Sequence, residues 1–441
     1  MLVGIASTRV ARRRSAIGDG GGGLDGVGGL GGFAPATVWV DTTTGVIESV
    51  EQGAGRAGAE GRTDRAQSRS RLLDVGDRRI APGFVDVHVH GGGGSQVNAA
   101  SAEESEAAAH ALASFHARHG TTALLATTVS DSPDRLAATV AGIARATRAP
   151  RTPDGARGAN GEARVLGCHL EGPFISSARA GAQDPRAIRA PDRDELRRLL
   201  EIGDGTVRLV TLAPELPGAI ALIGDCLDAG AAVALGHTDA TFEVALSAFE
   251  AGATHVSHLF NAMAPIHHRA PGLLGAALTD ERATLELICD LHHVHPAVID
   301  LAVRVAAARL VLATDATSAA GGPPGPHMLG TVPAVLDGTR VSLESDPTVL
   351  AGSVLVMDRA VANAVDASCM PLDVALRAAS AVPAALAWPT VRPTGSPAVP
   401  GGSFLPGAPA DLVVLEETLT VAATVVGGTV VFDPGGLLSR L

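Results

Sequence analysis

The chain has 441 residues, of which 46% are hydrophobic and 18% charged. That length holds one large catalytic domain and a minor one, and that balance excludes a mainly disordered chain. Acidic residues outnumber basic ones 46 to 34, a net charge of −12, so neither nucleic acid nor an anionic membrane is expected as a partner. All 34 basic residues are arginine, which rules out a P-loop lysine, a Schiff-base lysine and a carbamylated-lysine metal bridge.

Residues 1–7 are apolar but short, and Arg12, Arg13 and Arg14 follow rather than precede them, so no secretory signal is expected. The first 79 residues read as irregular, with one strand pair at 37–41 and 46–50 flanked by a glycine run, 18–32, and an arginine-rich stretch, 53–71. No apolar strand precedes the glycines and no helix pattern follows, so they read as a flexible insertion rather than a cofactor cradle.

From residue 80 short apolar runs alternate with Ala/Leu/Arg-rich helical stretches. The runs are 80–88, 122–128, 165–170, 207–212, 232–236, 255–260, 285–289 and 310–313. Eight strands with intervening helices predict an α/β fold, a (β/α)8 TIM barrel over 80–385. A doubly wound sheet is the structural alternative. The Pro/Gly loop 321–326 is a lid or a rigid connector. Strands return at 410–415 and 424–432, so 1–79 and 386–441 are expected to build a small β-sandwich domain from both chain ends. The four cysteines, Cys168, Cys226, Cys289 and Cys369, are far apart and lack metal-type spacing. No apolar run reaches the roughly 18 residues of a membrane span. A cytoplasmic protein with reduced thiols is expected.

In such a barrel the chemistry sits at the C-terminal ends of the strands, and there the polar residues gather. The first run ends in Asp86-Val87-His88-Val89-His90, whose period of two sets both imidazoles on one face. The third ends in His169-Leu170-Glu171, and a carboxylate after a buried apolar run is costly unless paired or metal-bound. His237, His255 and His258, Asp290 with His292 and His293, and Asp315 end the fifth to eighth runs. The donors are nitrogen and oxygen without thiolate, which suits Zn²⁺ and admits Fe²⁺, Mn²⁺ or Co²⁺. A metal so held acidifies bound water, and Asp315 is the natural proton carrier, so metal-assisted hydrolysis is the expected reaction class.

These motifs resemble the amidohydrolase superfamily and, more closely, the N-acetylglucosamine-6-phosphate deacetylase family. The resemblance runs from residue 80 to the end. It rests on Pro82-Gly83-Phe84-Val85-Asp86, His169-Leu170-Glu171-Gly172-Pro173-Phe174, Thr211-Leu212-Ala213-Pro214-Glu215, Gly236-His237-Thr238-Asp239-Ala240, His258-Leu259-Phe260-Asn261-Ala262-Met263, Arg269-Ala270-Pro271-Gly272-Leu273 and Thr314-Asp315-Ala316. It implies that Glu171, His237 and His258 ligate the main metal and that His88 and His90 supply a second site found in two-metal members. It implies Asp315 as general base and acid, and His293 as hydrogen-bond donor to the acetamide oxygen. Asn261, Ala262, Ala182 and the Leu350-Ala351-Gly352 loop would meet the amino sugar phosphate. Arg269 would bind its phosphate across a homodimer. Two positions depart from the family pattern: Gln183, still expected to bind substrate through hydrogen bonds, stands where a substrate-binding histidine is usual, and Leu291 where glycine is usual. His110, His116 and His119 read as solvated, and His169 as orienting Glu171. Two other readings stay open. One is a different lysine-free amidohydrolase, such as a deaminase or the galactosamine-analogue deacetylase; the other is a catalytically silent metal-binding scaffold, against which intact Asp315 and Arg269 argue.

Overall fold

The computed structural model describes residues 1–13, 30–53, 70–149, 161–388, 401–439 and 441. Most of the glycine run and of the arginine-rich stretch, read above as flexible insertions, lies outside the described residues. Eight parallel strands form the barrel: Phe84–Val89, Thr121–Thr128, Arg164–Glu171, Val207–Leu212, Ala232–Leu235, His255–Val256, Thr284–Ile288 and Leu310–Ala313. They are hydrogen-bonded in sequence order. The ring is closed between the first and last by the backbone bond from Asp315 N to the His88 carbonyl (2.9 Å) and a parallel bridge between Val89 and Ala316.

The predicted first run divides in two. Arg79–Pro82 pairs with Leu412–Leu415 in a separate sheet, and the barrel strand starts only at Phe84. Gly83 joins them, where a Cβ would lie 2.2 Å from the Thr122 hydroxyl, so only glycine permits this approach. The sixth run keeps ladder pairing only at His255–Val256, because the chain coils immediately beyond it.

Side-chain alternation sets what each strand face meets. In Val207–Leu212, Val210 and Leu212 pack on the surrounding helices, in one cluster with Leu112, Leu136, Ile143, Leu196 and Leu199. Leu209 faces the other way, into a layer with Val85, Val87, Leu125, Ala234 and Val311 that the helix Ala381–Ala387 closes through Val382 and Ala384. Some helices begin at polar caps: the Ser101 side chain accepts from Glu104 N ahead of Ala102–Ala117, and Asp192 accepts from Asp194 N and Glu195 N ahead of Arg193–Gly203.

Both chain ends build one eight-stranded sheet. Its order is Thr429–Phe432, Val421–Val426, Leu412–Leu415, Arg79–Pro82, Leu2–Arg13, Leu30–Asp41, Val46–Gln52, with Ser70–Asp74 paired alongside Leu2–Arg13. It has its own apolar core of Ile5, Val38, Val40, Ile47, Ile80, Leu412 and Val425. A three-stranded antiparallel unit, Gly325–Leu329, Val332–Asp337 and Arg340–Leu343, follows the eighth barrel strand and packs its Leu329, Ala334, Leu336 and Val341 in a cluster with Val129 and Ala182. No helix of the described residues is long and apolar enough to cross a membrane.

Candidate metal centre and active site

The strand ends deliver their polar side chains to one place. Glu171 closes the third strand, while His237 (φ 46°), His258 (φ 31°) and Asp315 (φ 50°) stand just past the fifth, sixth and eighth. Each of these three has left-handed backbone, which costs a non-glycine residue about 1–2 kcal/mol. Such strain persists only where the surroundings enforce it and clusters at functional sites. At Asp315 the enforcing contacts are backbone bonds, its N–H to the His88 carbonyl and its carbonyl from Ser353 N (2.8 Å).

Two groups of buried donors result, Glu171 with His237 and His258, and His88 with His90 and Asp315; within each, one donor atom per residue lies within 4.8 Å of the others. His237 Nε2 and His258 Nε2 stand 3.2 and 3.0 Å from Glu171 Oε1. In the second group His88 Nε2 and His90 Nε2 are 3.2 Å apart, and His90 Nε2 is 3.2 Å from Asp315 Oδ1. The two groups touch through Glu171, whose oxygens lie 3.3 Å from His88 Nε2 and 3.4 Å from His90 Nε2.

The far nitrogen of every one of these imidazoles meets an oxygen that can only accept. His88 Nδ1 faces Glu286 Oε1 (2.9 Å), His90 Nδ1 the Thr127 carbonyl (3.0 Å), His237 Nδ1 the Arg179 carbonyl (2.9 Å) and His258 Nδ1 the Asn261 carbonyl (3.2 Å). Each Nδ1 therefore donates, and each Nε2 turns toward the shared interior, the orientation that an acceptor behind the ring gives a histidine metal ligand. His88 Nε2 and His90 Nε2 thus face each other at 3.2 Å, close enough for one cation to take both as ligands. These residues fit a divalent metal. Burial pushes the Glu171 carboxyl up, but the imidazoles of His88 and His237 and the hydrogen bonds from His237 and His258 outweigh it and hold the group well below the usual carboxylate range. Burial also opposes charge on Asp315, and His88 and His90 overcome it, so its pKa is lowered. No thiol competes: Cys168 and Cys289 are buried among apolar side chains, and burial pushes Cys289 up to about 12.

A cavity of about 270 Å³ opens over both groups, near the roughly 300 Å³ lower end of small-molecule pockets. Among its lining residues are Glu171, His90, His237, His258 and Asp315, joined by Ala182, Gln183, Asn261, Ala262, His293, Leu350 and Gly352. His88 lies fully buried beneath it. Gly352 packs so closely on Asp315 that a Cβ would stand 2.8 Å from the Asp315 carbonyl oxygen. Besides His88, two residues of the expected set lie off this surface. The Ala351 methyl is buried with Val129, Ala319 and Leu329, and Arg269 is exposed with Nη1 2.7 Å from His268 Nε2.

His293 Nδ1 donates to Asp290 Oδ2 (2.8 Å), and Asp290 Oδ1 accepts from the backbone N–H of both His292 and His293. Burial works against a charged His293, but the Asp290 hydrogen bond and charge prevail and its pKa is raised, which favours the ring form that can donate from Nε2 as well. Leu291 has φ 68° in this turn, a conformation that favours glycine. Gln183 is engaged at both ends: Oε1 accepts from Ser130 N (2.6 Å) and Nε2 donates to Glu171 Oε2 (2.6 Å).

Two histidines differ from expectation. His169 makes no hydrogen bond to Glu171; its Nδ1 meets the Val87 carbonyl and its Nε2 the Thr211 hydroxyl (2.7 Å), so Gln183 rather than His169 orients Glu171. His116 is fully buried, with Nε2 donating to the Gly91 carbonyl (2.9 Å). One residue is missing from the expected set altogether, Glu286 on the seventh strand. The signal was present in Leu285-Glu286-Leu287, a carboxylate inside a buried apolar run, the same feature that singles out Glu171.

The amidohydrolase family model matches residues 79–431. The chain is 38% identical over 342 residues to the N-acetylgalactosamine-6-phosphate deacetylase of Escherichia coli O157:H7, covering 78% of this chain and 85% of that protein. It is 36% identical over 363 residues to the N-acetylglucosamine-6-phosphate deacetylase of Danio rerio, covering 81% and 85%. Among solved structures it is similar to a variant of the Mycobacterium smegmatis N-acetyl-D-glucosamine-6-phosphate deacetylase in complex with N-acetyl-D-glucosamine-6-phosphate. The TM-score there is 0.80, with 33% identity and coverage of 98% of this chain and 100% of that one. With its closed (β/α)8 barrel, its paired nitrogen and oxygen donor groups at the strand ends and this match across most of its length, the chain belongs to the amidohydrolase family.

Proposed function

We propose that the chain hydrolyses the N-acetyl group of N-acetylglucosamine 6-phosphate, giving acetate and glucosamine 6-phosphate. One observation carries the reading: the Asp315 carboxylate and the His293 imidazole face the same small cavity whose floor is made by the two donor groups around Glu171. Glu171, His237 and His258 would hold the main cation, and His88 and His90 with Asp315 a second; zinc is the expected ion, with iron, manganese or cobalt compatible with the same donors. When bound, the cation acidifies water and draws electron density from the amide carbonyl. Asp315 takes the proton from the attacking water at its carboxylate oxygen and delivers it to the departing amine nitrogen. His293 donates from Nε2 to the acetamide oxygen as negative charge gathers there, while Asp290 holds the ring from behind. Asn261, Ala262, Ala182, Leu350 and Gly352 shape the sugar pocket, with Ala351 anchoring that loop from the core side. Gln183 serves the reaction by fixing Glu171.

The cavity lining contains histidines but no arginine. A sugar phosphate therefore needs a cation from outside it, and Arg269, on an exposed loop of a second copy, is suited by its planar fork. A homodimer follows from that assignment. Unpaired cysteines fit a reducing compartment, and we place the enzyme in the cytoplasm. The galactosamine isomer is the second reading, favoured by the 38% identity to the Escherichia coli enzyme of that name. Acetate release from both phosphorylated N-acetylhexosamines and from unphosphorylated N-acetylglucosamine, on metal-quantified protein, decides. The glucosamine phosphate should give the highest kcat/KM; a preference for the galactosamine isomer establishes the second reading, and no release from any of them rejects deacetylation.

A further inference from the structure

The buried carboxylate of Glu286 joins residues that the sequence separates widely. It sits at the centre of the seventh strand with its neighbours Leu285 and Leu287 packed in the apolar layer, and no part of it reaches solvent. Its Oε1 accepts from His88 Nδ1 (2.9 Å) and from the backbone N–H of His258 (3.0 Å), and its Oε2 meets His255 Nε2 (3.1 Å). His255 is in turn held by the Thr284 hydroxyl at Nδ1 (2.7 Å). One side chain thus orients an imidazole of one donor group and the backbone of a residue in the other, at the point where His258 has φ 31°.

His88 differs from its three partners in this respect. His90, His237 and His258 each donate Nδ1–H to a neutral backbone carbonyl, whereas His88 donates to a carboxylate. A charged acceptor behind an imidazole fixes its tautomer and raises its strength as a ligand. We propose that Glu286 is a positioning residue that gives the His88–His90–Asp315 group its affinity for a cation, while leaving the Glu171–His237–His258 group largely independent of its charge. The inference rests on the metal reading of these two groups. Glu286→Gln separates charge from shape: the carboxamide oxygen still accepts from His88 and His258, and the amide nitrogen can donate to His255 once that ring shifts its proton to the Nδ1 facing Thr284.

The test is a competition titration of chelator-stripped wild-type protein and Glu286→Gln with Zn²⁺, repeated with Co²⁺ so that the absorption spectrum reports each site. His90→Asn and His237→Asn serve as references that assign the two binding steps. The variant should weaken the His88 step by about 10–100-fold, as the loss of an outer-shell partner does, and change the other step less than threefold, with kcat reduced at fixed metal and KM unchanged. Thermal unfolding of the stripped proteins checks that the variant folds, and Glu286→Asp, which withdraws the charge by one methylene, should give the same ordering if it does not. Equal weakening of both steps, no weakening of either, or a wild-type protein that takes up a cation only at the Glu171 group overturns the assignment of Glu286. A wild-type protein that binds no cation at all overturns the metal reading together with it.

Discussion

Replacing Asp315 by asparagine removes one negative charge and one proton acceptor while leaving the shape of the site in place. The substitution suits the backbone, because asparagine shares with aspartate a tolerance for the left-handed conformation found here at φ 50°. Both backbone bonds that hold the residue, to His88 and from Ser353, are independent of its side chain. What is lost is the carboxylate 3.2 Å from His90 Nε2 and 3.7 Å from His88 Nε2. General acid–base catalysis by a positioned side chain contributes roughly 10²–10⁴-fold, equivalent to about 3–5 kcal/mol at 1.36 kcal/mol per decade. In an acetate-release assay at saturating metal, kcat should therefore fall by at least about 100-fold. Metal at the Glu171 group and the unfolding temperature should hold near their wild-type values. A variant that turns over within threefold of wild type with its metal intact refutes the assignment of Asp315 as proton carrier.

Arg269→Ala should raise KM for the phosphorylated sugar selectively, and an equal loss on the unphosphorylated sugar contradicts a phosphate contact. Gln183→Leu strips Glu171 Oε2 and Ser130 N of their partners; each orphaned buried polar group costs about 1–3 kcal/mol, so a variant whose urea-derived stability stays at the wild-type value is inconsistent with the two bonds described. His116 supplies a pH dependence: burial, only partly offset by the bond to Gly91, lowers its pKa to about 4. Between that value and the roughly 6.5 of an unfolded histidine, the unfolded chain takes a proton that the folded one refuses, so stability is full above that window and falls as pH drops through it. Over the whole window the loss amounts to about 3 kcal/mol. Urea midpoints followed from pH 7 to 4 should show a shallower decline in His116→Gln, and parallel curves would exclude the effect.

The barrel was legible because its strands are local. Runs at 207–212 and 310–313 coincide with the observed strands, and most others agree within a residue or two at each end. Glu171, His237, His258 and Asp315 were visible because a polar side chain after an apolar run is conspicuous at a strand end. The strand Leu2–Arg13 was not, because its partners, Leu30–Asp41 and Ser70–Asp74, are remote in sequence and no local turn announces the pairing. The strands Gly325–Leu343 were hidden by Pro/Gly-rich flanks that read as loop. The role of Gln183 was obscured because its two partners, Ser130 and Glu171, meet only once neighbouring strands are in register. His116 looked solvated because it lies on an alanine-rich helix with weak amphipathic contrast, and its burial follows from the Gly91 loop packing over it.

Anomalous diffraction at the zinc edge from crystals grown with zinc tests the centre itself. A peak is expected about 2.0–2.2 Å from His237 Nε2, His258 Nε2 and a Glu171 oxygen. Active, zinc-containing protein whose anomalous peak lies away from all three of those atoms would contradict that placement.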